Sequence, residues 1–240
     1  MYQLLNPIVK VLEMIFNGLH QFVLNIGVKD TGISYVLAVL LITVLVRAIL
    51  LPLNIKQLKS QAKMQEVQPL LQKIQAKYKN DPQKSQMEMM KLYKENNISP
   101  LSGCLPLLIQ MPILFALYYV FMKIDIGGAA FLWLKDLQKP DPYYILPIIS
   151  AATTYLSSYI MTKTTSSGQQ VGGMNMNSMN IVMSLMSGFI ALRIGSLLVL
   201  YWIMGNVIQL IQTYFLVVRP TKAKTLANSV SETNNKVSKK

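Results

Sequence analysis

The sequence predicts an all-α polytopic membrane protein: five transmembrane helices around a hydrophilic groove, an N-terminal interfacial amphipathic helix and a cytoplasmic helical hairpin. Three observations carry that expectation. The 240 residues are 52% hydrophobic and only 14% charged, too apolar for an ordinary soluble domain of this length. Apolar runs of membrane-crossing length recur along the chain. The net charge of +13 is concentrated in two stretches outside those runs. A single cysteine, Cys104, excludes an intramolecular disulfide, and a single histidine, His20, leaves no His/Cys cluster for a metal, so no cofactor is implied.

Residues 1–33 form an extracytoplasmic N-terminus. Its apolar periodicity over 5–28 is broken by Glu13, Asn17, His20 and Asn25 and lacks a basic leader, so it suits a helix lying in the interface better than a cleaved signal. The first span is placed at 34–54, the second at 99–125, the third at 143–162, the fourth at 178–194 and the fifth at 195–217. The fourth is short and is interrupted by Ser184, Ser187 and Gly188. Between them lie a cytoplasmic segment at 55–98, an external loop at 126–142 and a cytoplasmic loop at 163–177, with a basic disordered cytoplasmic tail at 218–240.

Lysine distribution sets the topology. Residues 55–98 carry nine lysines against four acids, and the tail carries six basic residues against Glu232 alone. The 126–142 loop instead balances Lys135 and Lys139 with Asp136 and Asp141. With five spans, the positive-inside bias puts both basic regions in the cytoplasm and the N-terminus outside. Within 55–98, apolar positions from Ile55 to Tyr78 recur at helical spacing. Asn80-Asp81-Pro82 then marks a turn, and a second helical pattern runs from Ser85 to Tyr93. This basic hairpin would present Lys56, Lys59, Lys63, Lys73, Lys77 and Lys84 to anionic headgroups, ribosomal RNA or an acidic partner, or simply solvate the helix pair and fix its topology.

Arg47 is the residue that most requires explanation. It sits within the apolar run 35–53, where a guanidinium costs several kcal/mol unless it faces a bundle interior or a wet cavity. No other core span holds an Asp or Glu to pair with it, apart from Asp125 at the very end of the second. Polar side chains that could share its surroundings are Thr43, Gln110, Thr153, Ser157, Asn206, Gln209 and Gln212, the last three spaced by three on the fifth span. Helix–helix hydrogen bonding accounts equally well for most single hydroxyls. An unpaired intramembrane cation can attract an acidic peptide segment, a carboxylate-bearing solute or an anion.

Four stretches, at 46–53, 103–118, 186–189 and 200–209, resemble the YidC/Oxa/Alb membrane protein insertases, in the short bacterial form without a large periplasmic domain. Their landmarks are Arg47 and Pro52; Gly103, Pro106, Gln110 and Pro112; Ser187 and Gly188; and Tyr201, Trp202, Asn206 and Gln209. The resemblance covers nearly the whole chain in order. It implies a five-span core, a groove open to the cytoplasm and to lipid but closed outside, and a groove arginine at Arg47. It also implies insertion and folding of nascent membrane proteins without covalent chemistry, alone or beside the Sec translocase. The groove set would be Arg47, Thr43, Gln110, Thr153, Ser157, Trp202, Asn206 and Gln209. The implied partners are client chains, the lipid bilayer, the ribosome and the Sec translocase, with no DNA, and the protein would act as a monomer.

Three departures from the family pattern stand out. Ser157 occupies the position of a common groove glutamine, Arg193-Ile194-Gly195-Ser196 replaces a Pro-Ala-Gly turn, and the start at Met1-Tyr2-Gln3 suggests insertion without cleavage or a lipid-modified cysteine. Other classes fit less well. A small-solute transporter would usually show an inverted repeat, an enzyme would need a nucleophile or metal set, and a scaffold leaves Arg47 without a purpose. Cys104, with no nearby His, reads as a buried packing residue.

Overall fold

The computed structural model describes residues 2–98, 105–124, 126–163, 170–171 and 174–220. Cys104 and the tail beyond residue 220 lie outside them. Helix α1 spans Tyr2–Asn25 and α2 spans Thr31–Ile49. Helices α3 (Leu51–Glu66), α4 (Gln68–Lys77) and α5 (Pro82–Glu95) follow, then α6 (Leu105–Lys123) and α7 (Ile145–Lys163). Two-residue antiparallel strands β1 (Gln170–Val171) and β2 (Met174–Asn175) precede α8 (Met176–Ala191) and α9 (Ser196–Thr213). A π-helical turn, Tyr214–Val218, extends α9. Two helical stretches, Thr31–Ile49 and Ser196–Leu216, are long and apolar enough to cross a bilayer, and Ile145–Ile160 and Asn180–Ala191 are shorter apolar helices.

Helix α9 is the central wall. It packs against α2 and α6 on one side and against α7 on the other, and α7 in turn carries α8. Helix α1 lies against both α2 and α6. Its buried residues Val9, Leu12, Phe16 and Val23 share one helical face, with Phe16 stacked on Tyr35 and edge-on to Phe121. Ile8, Val11, Met14 and Phe22 are exposed on α1. Buried and exposed apolar residues together form one wide arc opposite Lys10, Glu13, Asn17 and Gln21, so the helix keeps an apolar and a polar face.

Local chemistry sets the breaks. Asp30 caps α2 through Oδ1, which accepts from the Ile33 N–H at 2.8 Å. Pro52 falls near the start of α3, where its missing N–H is tolerated, and the chain turns there at Leu50. The first arm of the segment at 55–98, expected as one periodic run, is instead two helices. Pro69 sits in the first turn of α4 and Val67 separates α4 from α3, because proline supplies no donor to the preceding turn. Asp81 caps α5 by accepting from the Lys84 N–H at 3.0 Å. Helices α4 and α5 close over a small core of Val67, Leu71 and Ile98 with Met64, Met89, Leu92 and Tyr93. The ammonium groups of Lys77 and Lys84 each lie 5.3 Å from the Tyr78 ring, joining the two arms.

The loop at 126–142 is packed rather than loose, with Ile126, Leu134 and Leu137 fully buried. Gln138 Nε2 donates to the carbonyls of Ile124 (2.6 Å) and Phe121 (3.2 Å), satisfying the carboxyl end of α6. The Ser196 N–H and Oγ both donate to the Lys139 carbonyl, at 2.9 and 2.7 Å, tying the start of α9 to the same loop. Buried Asp141 accepts from Trp133 Nε1 (3.1 Å) and from the N–H groups of Tyr143 (3.0 Å) and Leu146 (2.7 Å), fixing the start of α7.

Candidate functional site

Arg47 lies in the last turn of α2 and is half-buried. Its Nη1 donates to Gln209 Oε1 on α9 at 2.7 Å. Gly205, one turn before Gln209, makes this approach possible: a Cβ there would stand 3.1 Å from Arg47 Nη2 and 3.9 Å from Nε. The guanidinium thus rests against bare α9 backbone. Its partner is a neutral amide, so the hydrogen bond orients the cation without neutralising it. The buried Tyr201 stands one turn before Gly205, and its Oη accepts from Gln110 Nε2 on α6 at 3.1 Å. Tyr201, Gly205 and Gln209 therefore present one i, i+4, i+8 face of α9 toward α2 and α6.

A second polar cluster lies on the side of α9 that meets α7. Asn206 Nδ2 donates to Thr154 Oγ1 at 2.9 Å and lies 3.4 Å from Thr153 Oγ1, and Ser187 Oγ on α8 donates to Thr154 Oγ1 at 3.2 Å. Thr153 Oγ1 also bonds back to the Ile149 carbonyl at 2.8 Å. Thr43 is buried and its hydroxyl donates back to the Val39 carbonyl within its own helix. Ser157 on α7 and Trp202 on α9 are half-buried.

Five of the eight residues expected to share one groove thus fall into two hydrogen-bonded groups, and Thr43, Ser157 and Trp202 belong to neither. Arg47 with Gln209, and Gln110 with Tyr201, lie between α9 and helices α2 and α6. Asn206, Thr153, Thr154 and Ser187 lie between α9, α7 and α8. Lys56, Lys59, Lys63, Lys73, Lys77 and Lys84 are all exposed, on α3, α4 and α5.

The profile of the family described as 60Kd inner membrane protein matches residues 26–223. The chain belongs to this family. It is 59% identical over 227 residues to membrane protein insertase YidC of Clostridium perfringens, covering 93% of this chain and 95% of that one. It is 40% identical over 240 residues to the YidC of Clostridium acetobutylicum, covering 98% and 93%. A crystal structure of an active YidC insertase with the first transmembrane domain resolved superposes with a TM-score of 0.65 at 33% identity, over 85% of this chain. The chain spans 46% of the length of that solved protein. It is therefore a bacterial multi-pass membrane protein of the YidC insertase family.

Four residues of the site, Gly205, Tyr201, Thr154 and Ser187, stand outside the expected groove set, although Tyr201 and Ser187 are landmarks of the family resemblance. Gly205 carried a usable signal, because glycine inside a helix is unfavourable by about 1 kcal/mol and needs a packing reason. Tyr201 shares its i, i+4 face. Thr154 looked like an ordinary hydroxyl, and only the α7–α8–α9 packing singles it out.

Proposed function

We propose that this YidC-family chain inserts and folds nascent membrane proteins by passing short polar segments through an intramembrane groove and releasing apolar helices into lipid. The observation that carries the mechanism is Arg47: half-buried, seated over Gly205 and held by a neutral amide. A cation so placed is oriented but keeps its charge available. An acidic residue in a client segment can pair with it and leave again, because no resident carboxylate among the described residues competes for it.

Helices α2, α6, α7, α8 and α9 would be the five spans, with α1 in the outer interface, α3–α5 and the tail in the cytoplasm, and the N-terminus outside. The charge distribution supports this orientation. Polar groups between α9 and its neighbours would shorten the hydrocarbon path that a client's hydrophilic segment must cross, while the client's helix slides along apolar surface into the bilayer. The exposed lysines of α3–α5 would meet anionic headgroups, the ribosome or the Sec translocase, and one copy would suffice. The process makes and breaks no covalent bond.

The test is protease protection of a small single-spanning client in liposomes containing the purified protein, with wild type, Arg47→Ala and Arg47→Lys compared. Insertion retained by lysine and lost with alanine is expected for clients with acidic translocated segments. Absence of wild-type stimulation over empty liposomes would refute the insertase reading. Full activity of Arg47→Ala would refute the charge mechanism alone.

A further inference from the structure

Three buried side-chain amide atoms near the α3–α9 junction have no hydrogen-bond partner: Asn54 Nδ2 and Gln57 Nε2 on α3, and Gln212 Oε1 on α9. Asn54 and Gln57 are 8% and 6% exposed, which makes an unpaired amide there costly to the resting fold. They stand one turn apart on α3, and α3 packs against the π turn that begins two residues after Gln212. Gln212 itself is three residues beyond Gln209, about 4.5 Å further along α9 from the Arg47 contact. The unpaired set therefore lies beyond Arg47, on the side of the helical break at Leu50 and the π turn at Tyr214. π turns recur at functional sites, where they reposition one face of a helix.

The chemistry of the set narrows the ligand. Two donors without an acceptor would suit an anion, but the unpaired acceptor Gln212 Oε1 would then face negative charge. A donor–donor–acceptor set of neutral amides instead matches the carbonyls and N–H of successive peptide groups in an extended chain. We propose that Asn54, Gln57 and Gln212 form a peptide-backbone site at the inner mouth of the groove. It holds an extended, uncharged polar segment of a client before Arg47 engages any acid in it. This rests on the insertase reading above. It adds a substrate property that charge alone does not supply, recognition of backbone irrespective of side chain.

The experiment compares wild type, the double variant Asn54→Leu/Gln57→Leu, and Gln212→Met in liposomes. One client carries an uncharged Gly/Ser translocated segment, and a semisynthetic copy carries the same segment N-methylated on alternate residues. Thermal unfolding is measured in detergent on the same preparations. Removing unpaired buried amides should leave unfolding temperature unchanged or higher, while insertion of the Gly/Ser client falls about tenfold in the double variant and about threefold in Gln212→Met. With the N-methylated client the ratio between wild type and variants should shrink toward one. Wild-type insertion with undiminished variants would overturn the proposal and leave the insertase reading standing, the amides then holding water alone. A drop in unfolding temperature that parallels lost insertion in both variants would also overturn it, assigning the amides a structural role. No insertion by wild type would overturn both readings.

Discussion

Gly205→Ala separates the seating of Arg47 from the stability of the helix that seats it. The added Cβ would stand 3.1 Å from Arg47 Nη2 and 4.0 Å from Cζ. The atom it crowds is the far end of a long side chain, so a shift of a few tenths of an ångström relieves the contact without moving backbone. Replacing a mid-helix glycine by alanine contributes roughly 0.5–1 kcal/mol through helix propensity. The net effect on the fold should therefore be neutral or stabilising. The bond from Nη1 to Gln209 Oε1, 2.7 Å in the native chain, takes the displacement. A hydrogen bond to a charged group contributes about 1.5–3 kcal/mol, and stretching it forfeits part of that, on the order of 0.5–1 kcal/mol. Insertion of acidic clients should fall about two- to fivefold, by the relation of 1.4 kcal/mol to a tenfold change. Gly205→Leu should push the guanidinium off α9 entirely and deepen the loss. The assay is protease protection of an acidic and a neutral client in liposomes, beside thermal unfolding in detergent. Gly205→Ala unfolding at much lower temperature, or Gly205→Leu inserting the acidic client at the native rate, would refute the seat.

Asp141→Ala removes a buried acceptor of three hydrogen bonds at the start of α7 and should destabilise the protein by about 2–3 kcal/mol, read by thermal unfolding. Tyr78→Ala removes the ring between Lys77 and Lys84 and should weaken the α4–α5 pair by about 1 kcal/mol, seen as faster amide exchange confined to 68–95, with Tyr78→Phe close to native. His20, stacked on Tyr35 and 3.0 Å from Ser34 Oγ, is held below its ordinary pKa of 6.5 by burial. The folded protein therefore binds that proton less readily than the unfolded chain. The contribution of neutral His20 is fully present above pH 6.5 and is lost as pH falls through the lower folded value; His20→Gln should flatten the unfolding temperature in that window. Ser157→Ala should leave insertion within measurement error of wild type, because the half-buried hydroxyl belongs to neither hydrogen-bonded cluster.

Element existence was legible in the sequence and convergence was not. The Asn80-Asp81-Pro82 turn was readable because Asp81 acts locally, capping α5, whereas the equivalent cap of α2 by Asp30 was not singled out. The three-residue spacing of Asn206, Gln209 and Gln212 suggested one amide face. At about 100° per residue, however, each step of three drifts by about 60°, and the first and last amides diverge by about 120°. Because α9 is flanked on both sides, that drift sends Asn206 to α7 and Gln209 to α2. The divergence follows from helix geometry, but its consequence depends on which neighbours occupy the two sides. Likewise the apolar periodicity of α1 was visible, yet it could not tell protein-facing Phe16 from exposed Met14.

Polar satisfaction changes along the molecule in a way that gives the proposed groove a direction. At the end bearing the 126–142 loop, Gln138 closes the carboxyl end of α6, Ser196 ties α9 to Lys139, and Asp141 is saturated by three donors. Gly32 of α2 also abuts the Ala130 backbone so closely that a side chain there would collide with it. Opening this end would break several bonds at once. At the α3–α9 end, Asn54, Gln57 and Gln212 hold unpaired buried atoms, so a polar segment arriving there gains bonds without breaking resident ones. Among the described residues one further buried side-chain atom is unpaired, Ser150 Oγ near the start of α7, a single rotatable hydroxyl against three amide atoms at the other end. Between the two ends stands Arg47, with its charge oriented by Gln209 but not neutralised. Under the proposed function, a client segment would meet hydrogen-bonding capacity first, charge second and a closed cap last. That order would favour loading from the α3 side and leave release of the client's helix to the lateral face, where lipid and not protein would receive it.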